Sequence, residues 1–233
     1  MGRFVYGKHP AFGDFLTAGL TGVAQDRIEG WLNASLSALK TAWGTTWEQG
    51  FDTSPPIAFW IGARVSGGGA VRGAMRSSRD KVGRRFPLLA GYEGAGALPP
   101  AVDPTDTYCQ DIAALLADFA PDTAKGAQGM VDMLPDVEGE DVDADPAFWA
   151  ARDDGDLAQL WADVAFADHL RAAHGRSYWW VTDTPSSLYA AEGFPPTEAL
   201  AWLMTGGRPV QTDETPDDAA MTEPEPTASV EVE

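Results

Sequence analysis

Cysteine, histidine, basic residues and long apolar runs are all scarce in this 233-residue chain. Cys109 is the only cysteine, which excludes an intrachain disulfide and a cysteine metal cluster and makes it a small core residue. The three histidines are His9, His169 and His174; the last two, five apart on a helix, point about 140° away from each other, so they share no zinc site. No metal and no other cofactor is expected. The apolar runs stop well short of the roughly 18 residues that span a bilayer, so no membrane insertion is expected. The opening "MGRFVYGKHP" lacks the apolar centre of a signal peptide, which predicts a cytoplasmic protein. Lys and Arg number 16 against 35 Asp and Glu, a formal net charge of -19. The imbalance is uneven: residues 1–92 carry a net +5, residues 93–210 a net -16 and residues 211–233 a net -8. Such a surface is dipolar and steers partners, but without a broad positive face it does not suit nucleic acid.

What is present reads as one domain over residues 1–210, with a disordered acidic tail over 211–233 that lacks enough apolar surface to order itself. Phe4–Tyr6 is a first strand feeding an irregular loop punctuated by Gly7, Pro10 and Gly13. Ile28, Leu32, Leu36, Leu39 and Trp43 recur at helical spacing and predict a long amphipathic helix from about Val23. "PPIAFWIGARV" and "GAVRGAMRSS" form a hairpin around Gly67, Gly68 and Gly69, and "RFPLLAGYE" a third strand. Ile112, Leu115, Leu116 and Phe119 mark a second helix with Asp106 as its N-cap. Leu157, Leu160, Trp161, Val164 and Leu170 mark another, ending at Gly175. Between these two helices lies an acidic loop, which Phe148 and Trp149 are expected to anchor to the body. "RSYWWVTDT" is a strand, "SSLYAAEGFP" a short strand or loop and "PTEALAWLMTGG" a closing helix. The fold class is therefore α/β (α+β): a central mixed, mostly antiparallel sheet flanked by helices.

The chemistry-bearing patterns are weak. "SGGGAVRGAM" lacks the Lys-Ser/Thr ending of a phosphate-binding loop and suits a turn. Glu138, Glu140, Asp141, Asp143 and Asp145 do not follow the order of a calcium loop and suit a solvated segment. No nucleophile elbow is present. A hydrolase or phosphate-ester-processing enzyme would have to assemble Asp14, Asp80 and His9 from separate loops.

The densest basic segment, "SSRDKVGRRFPLLAGYEG" (77–94), holds Arg79, Lys81, Arg84 and Arg85. Two readings fit it. In one, Lys81, Arg84 and Arg85 are offered to the carboxylates or phosphates of a partner. In the other, Asp80 pairs with Arg84 or Lys8 inside the fold, Gly83 supplies a positive φ, Arg85 covers a helix, and Asp14 binds loop amides.

Two stretches in tandem carry a resemblance. Gly7, Lys8, Pro10, Gly13, Asp14 and Phe15 form one signature; Ser78, Asp80, Val82, Gly83, Arg84, Phe86, Pro87 and Leu88 form the other. In this order, around a tryptophan-bearing helix and a hairpin, they resemble the TagF (ImpM) family associated with bacterial type VI secretion. The resemblance extends more weakly through "SYWWVTDT" and "EGFPPTEALAWLMTG". Ser77 and His9 depart from it, standing where the family usually has proline and an aliphatic residue. It implies a cytoplasmic, non-enzymatic regulator that acts after translation, typically repressing assembly of the secretion machine, with the forkhead-associated scaffold protein of that system as partner.

Overall fold

The computed structural model describes residues 2–94, 97–137, 145, 147–181 and 186–208. The acidic residues 138, 140, 141 and 143 and the tail 211–233 lie outside the described residues.

The core is a seven-stranded sheet. Its strands are β1 (Gly2–Gly7), β2 (Leu16–Ala18), β3 (Ile57–Ile61), β4 (Val71–Arg76), β5 (Leu88–Glu93), β6 (Arg176–Val181) and β7 (Ser187–Glu192), in the spatial order β2-β1-β5-β4-β3-β6-β7. All six pairings are antiparallel, so the parallel pairs that a mixed sheet implies are missing among the described residues. Strand β2 falls in the stretch expected to be irregular; it is three residues long and takes its shape from pairing with β1, which its own sequence does not announce.

Period-two alternation divides the side chains between two layers. Phe4, Tyr6, Ile57, Phe59, Ile61, Met75, Leu89 and Trp179 face one layer, made by Ile28, Leu32 and Leu39 of α1 (Gly22–Trp43), Phe51 of α2 (Trp47–Asp52) and Leu200 and Leu203 of a C-terminal helix, Thr197–Met204. Val5, Ala58, Ala74, Leu88 and Ala90 face the other, made by Ile112 and Leu116 of a helix at Tyr108–Ala117 and by Met130 and Val131 of one at Gly126–Val131. The short helix α3 (Ala63–Ser66) joins β3 to β4, and the four later helices, in chain order, are α4 (Tyr108–Ala117), α5 (Gly126–Val131), α6 (Leu157–Ala173) and α7 (Thr197–Met204).

Buried Glu93 ties the sheet to α1: its carboxylate accepts the Thr21 N–H at 2.7 Å and the Thr21 hydroxyl at 2.8 Å, just where α1 starts. The Gly67–Gly69 segment closes the β3–β4 connection as a turn, with the Ser66 hydroxyl donating to the Gly69 carbonyl at 2.7 Å. Thr107, not Asp106, occupies the cap of α4. Arg72 on β4 draws the Asp106 carboxylate into an ion pair, from which it accepts the Tyr108 N–H at 2.9 Å.

Helix α6 departs furthest from its expected role. Only Ala173 of it is buried, and Leu157 and Trp161 stand in solvent. Trp149 is fully exposed rather than an anchor, whereas Phe148 lies beneath the Arg171 guanidinium. Among the described residues no helix is long and apolar enough to cross a membrane.

Candidate functional site

The two signature segments meet at one end of the sheet and interlock. Gly7 ends β1 with φ +125°, and a Cβ there would lie 2.0 Å from the Pro87 carbonyl oxygen, so the two chains touch at this point. Residues 78–86 fold back on themselves: the Asp80 N–H donates to the Arg84 carbonyl (3.1 Å), the Gly83 N–H to the Asp80 carbonyl (2.9 Å) and the Phe86 N–H to the Ser78 carbonyl (3.0 Å). Gly83 supplies the positive φ, +90°, that this reversal requires.

The Asp80 side chain is the hub. Its Oδ1 accepts the N–H groups of Val82 (3.1 Å) and Arg84 (2.9 Å). Its Oδ2 accepts Arg84 Nε at 2.6 Å and lies 3.1 Å from Lys8 Nζ, itself buried. Burial alone would raise the Asp80 carboxyl; the Arg84 N–H and guanidinium, the Lys8 ammonium and the Val82 N–H outweigh it and hold it well below the usual carboxylate range.

Arg84 also donates to the Gly13 carbonyl at 2.8 Å, and the Lys81 N–H to that of Phe12 at 2.8 Å, so the second segment pins the first. Phe15 and Phe86 meet edge to face at 4.9 Å, with Lys8 Nζ 5.0 Å from the Phe15 ring centre. Phe86 and Pro87 are buried beneath.

Arg85 turns the other way. Its guanidinium grips the Asp52 carboxylate of α2 through Nε (2.9 Å) and Nη2 (2.8 Å) and reaches Glu48 at 2.9 Å. It covers a helix and is not held out to a partner. Asp14 is exposed, and its side chain makes no hydrogen bond or ion pair among the described residues. The amide contacts expected for it are missing because its loop is held from the other side, through the carbonyls of Phe12 and Gly13.

The outer surface of the clamp is consequently Pro10, Asp14, Phe15 (46% exposed), Lys81, Val82 (72% exposed) and the tip of Arg84. Beside it runs a cleft of about 480 Å³ lined by His9, Arg76, Ser77, Ser78, Arg79 and Phe119. Arg76 donates to the Leu116 and Ala117 carbonyls (3.0 and 2.5 Å), closing the C-terminal end of α4. His9 accepts the Ala11 N–H on Nδ1 (3.2 Å), which leaves the proton on Nε2 to donate to the Phe119 carbonyl (3.1 Å). This is a neutral imidazole. Burial lowers its pKa, and the hydrogen bond to Phe119 only partly opposes that.

Nothing in the sequence marks Asp52 and Glu48 as partners of Arg85, or the cleft beside Arg76 and Arg79. Asp52 precedes Arg85 by 33 residues and no spacing links them.

Residues 5–131 match the TagF N-terminal domain, described as type VI secretion system-associated. The fold is similar to the crystal structure of PA0076 from Pseudomonas aeruginosa PAO1, with a TM-score of 0.69 and 28% identity, covering 90% of this chain and 97% of that one. No curated protein matches the sequence. Both signatures fall inside the matched residues; α6, β6, β7 and α7 fall after them.

Proposed function

We propose, since the chain belongs to the type VI secretion system-associated TagF family, that it is a cytoplasmic, non-enzymatic regulator that represses assembly of the secretion machine by binding its forkhead-associated scaffold protein. The observation that carries this reading is the division of labour within the clamp. Asp80, Lys8, Gly7, Gly83, Phe86 and Pro87 hold the two loops together from inside. Lys81, Val82, Phe15 and Asp14 are left on a rigid outer rim where an apolar contact sits between opposite charges. Such a rim suits protein recognition, because its backbone is ordered before binding and little entropy is lost on contact.

The groups that a hydrolytic centre would draw upon do not converge on one point. Asp80 is closed within its four donors, His9 is pinned as a neutral ring against Phe119, and Asp14 faces solvent. This favours the binding reading over the enzymatic one.

Co-purification of the scaffold protein with Lys81→Glu/Val82→Glu, against the unaltered chain, tests the proposal. Both side chains are exposed, so circular dichroism is expected to be unchanged while capture falls by about tenfold or more. Undiminished capture by the folded double variant overturns it. Arg85→Glu is the wrong probe, since it places a third carboxylate against Asp52 and Glu48 and loosens α2.

A further inference from the structure

Helix α6 carries an apolar stripe that no element among the described residues covers. Leu157, Leu160, Trp161 and Val164 fall within about 100° of arc at 3.6 residues per turn. Leu157 and Trp161 are 62% and 63% exposed, and Leu160 and Val164 are only half-buried. The helix is moored at its C-terminal end, where Ala173 packs with Trp60 and Tyr178 and Arg64 donates to the Arg171 carbonyl at 2.9 Å. Its N-terminal turns, residues 157–166, are exposed or only half-buried.

The stripe has a charged frame. Residues 147–173 hold five aspartates against Arg152 and Arg171. Arg152 is engaged by Asp154 (2.6 Å) and Asp163 (2.5 Å). Asp156 and Asp168, which bracket the stripe about 18 Å apart along the axis, have no ion-pair partner among the described residues.

We propose that this face docks a basic amphipathic helix of a partner protein, with apolar residues at i, i+3, i+4 and i+7 laid on Leu157, Trp161 and Val164 and Lys or Arg near its ends meeting Asp156 and Asp168. The charges select among occupants. A second copy of α6, parallel or antiparallel, would set aspartate against aspartate, and an anionic bilayer or a nucleic acid would be repelled. A cationic helix alone satisfies the apolar stripe and both ends together. This surface is separate from the clamp rim, so either can fail without the other.

The test uses the full chain and two labelled peptides of about five helical turns: one with Leu on a single face and Lys elsewhere, the other with Glu in place of Lys. Fluorescence anisotropy is expected to show binding of the Lys/Leu peptide, weakened by added salt, and none of the Glu/Leu peptide. Trp161→Ala and Asp168→Lys, folded by circular dichroism, are each expected to weaken it about tenfold or more, while Lys81→Glu leaves it unchanged. Failure of the Lys/Leu peptide to bind, equal binding of both peptides, or binding indifferent to Trp161→Ala overturns the proposal. So does a dimer in sedimentation velocity that Trp161→Ala abolishes, since a second copy would then cover the stripe.

Discussion

Gly7 and Gly83 both have positive φ, yet they are not equivalent. At Gly7 an added Cβ collides with the Pro87 backbone, which cannot move without parting the two loops; at Gly83 the same atom meets open space. Gly7→Ala is therefore expected to cost about 3 kcal/mol, from strain plus collision, and Gly83→Ala only about 1 kcal/mol, from strain alone. Urea denaturation of the two variants measures the difference, and equal losses would mean that the loops do not meet at Gly7. Titration of the clamp follows from two displaced groups. His9 is harder to protonate folded than unfolded, so the unfolded chain takes up the proton first, and stability is whole above 6.5 and declines as pH falls below it. Asp80 is harder to protonate as well, and its contribution is whole above 3.8 and lost as pH falls beneath that value. Urea midpoints against pH are expected to show both declines, and His9→Gln, which keeps a donor for the Phe119 carbonyl, is expected to lose the first while retaining the second. The Asp80–Arg84 pair was legible because four residues separate its members. The grip of Arg85 on Asp52 was not, because tertiary packing alone brings α2 beside that loop.

Helices α1 and α6 show how far periodicity reaches. Both have apolar residues at helical spacing, and both form where the spacing predicts. On α1, Ile28, Leu32 and Leu39 are fully buried in one core with residues of β1, β3 and β5, and Leu36 and Trp43 are partly buried beside them; on α6 no residue of the comparable stripe is buried. The same kind of substitution should thus have opposite weight. Ile28→Ala is expected to cost about 2–5 kcal/mol through the cavity it leaves, and Trp161→Ala to stay within about 0.5 kcal/mol in the isolated chain. Thermal or urea unfolding of both variants decides it. A large loss at Trp161 would mean that α6 is packed after all, and would also remove the docking surface.

The chain as a whole pairs a mildly basic region that builds most of the sheet with an acidic region that builds α4 to α7. Residues 211–233 hold eight acidic and no basic residues, so deleting them takes the formal net charge from -19 to -11. With so little apolar surface in that segment, the deletion is expected to move Tm by no more than about 2 °C; a fall of several degrees by calorimetry would show that the tail docks on the domain. What depends on near neighbours was legible in the residues themselves: the long α1, the antiparallel pairing of β3 with β4 though not the helical turn α3 between them, the strand after Phe86, and the turn around Asp80 and Gly83. Each follows from period, turn chemistry or a charge pair a few residues apart. The tertiary structure alone decided the strand order, which sets β1 beside β5 and so brings Gly7 against Pro87. It also decided that Asp14, Lys81 and Val82 face outward, and that the stripe on α6 has no covering partner among the described residues. These outcomes depend on which surfaces meet across long stretches of sequence, and an apolar stripe carries the same period whether the chain covers it or leaves it for another molecule.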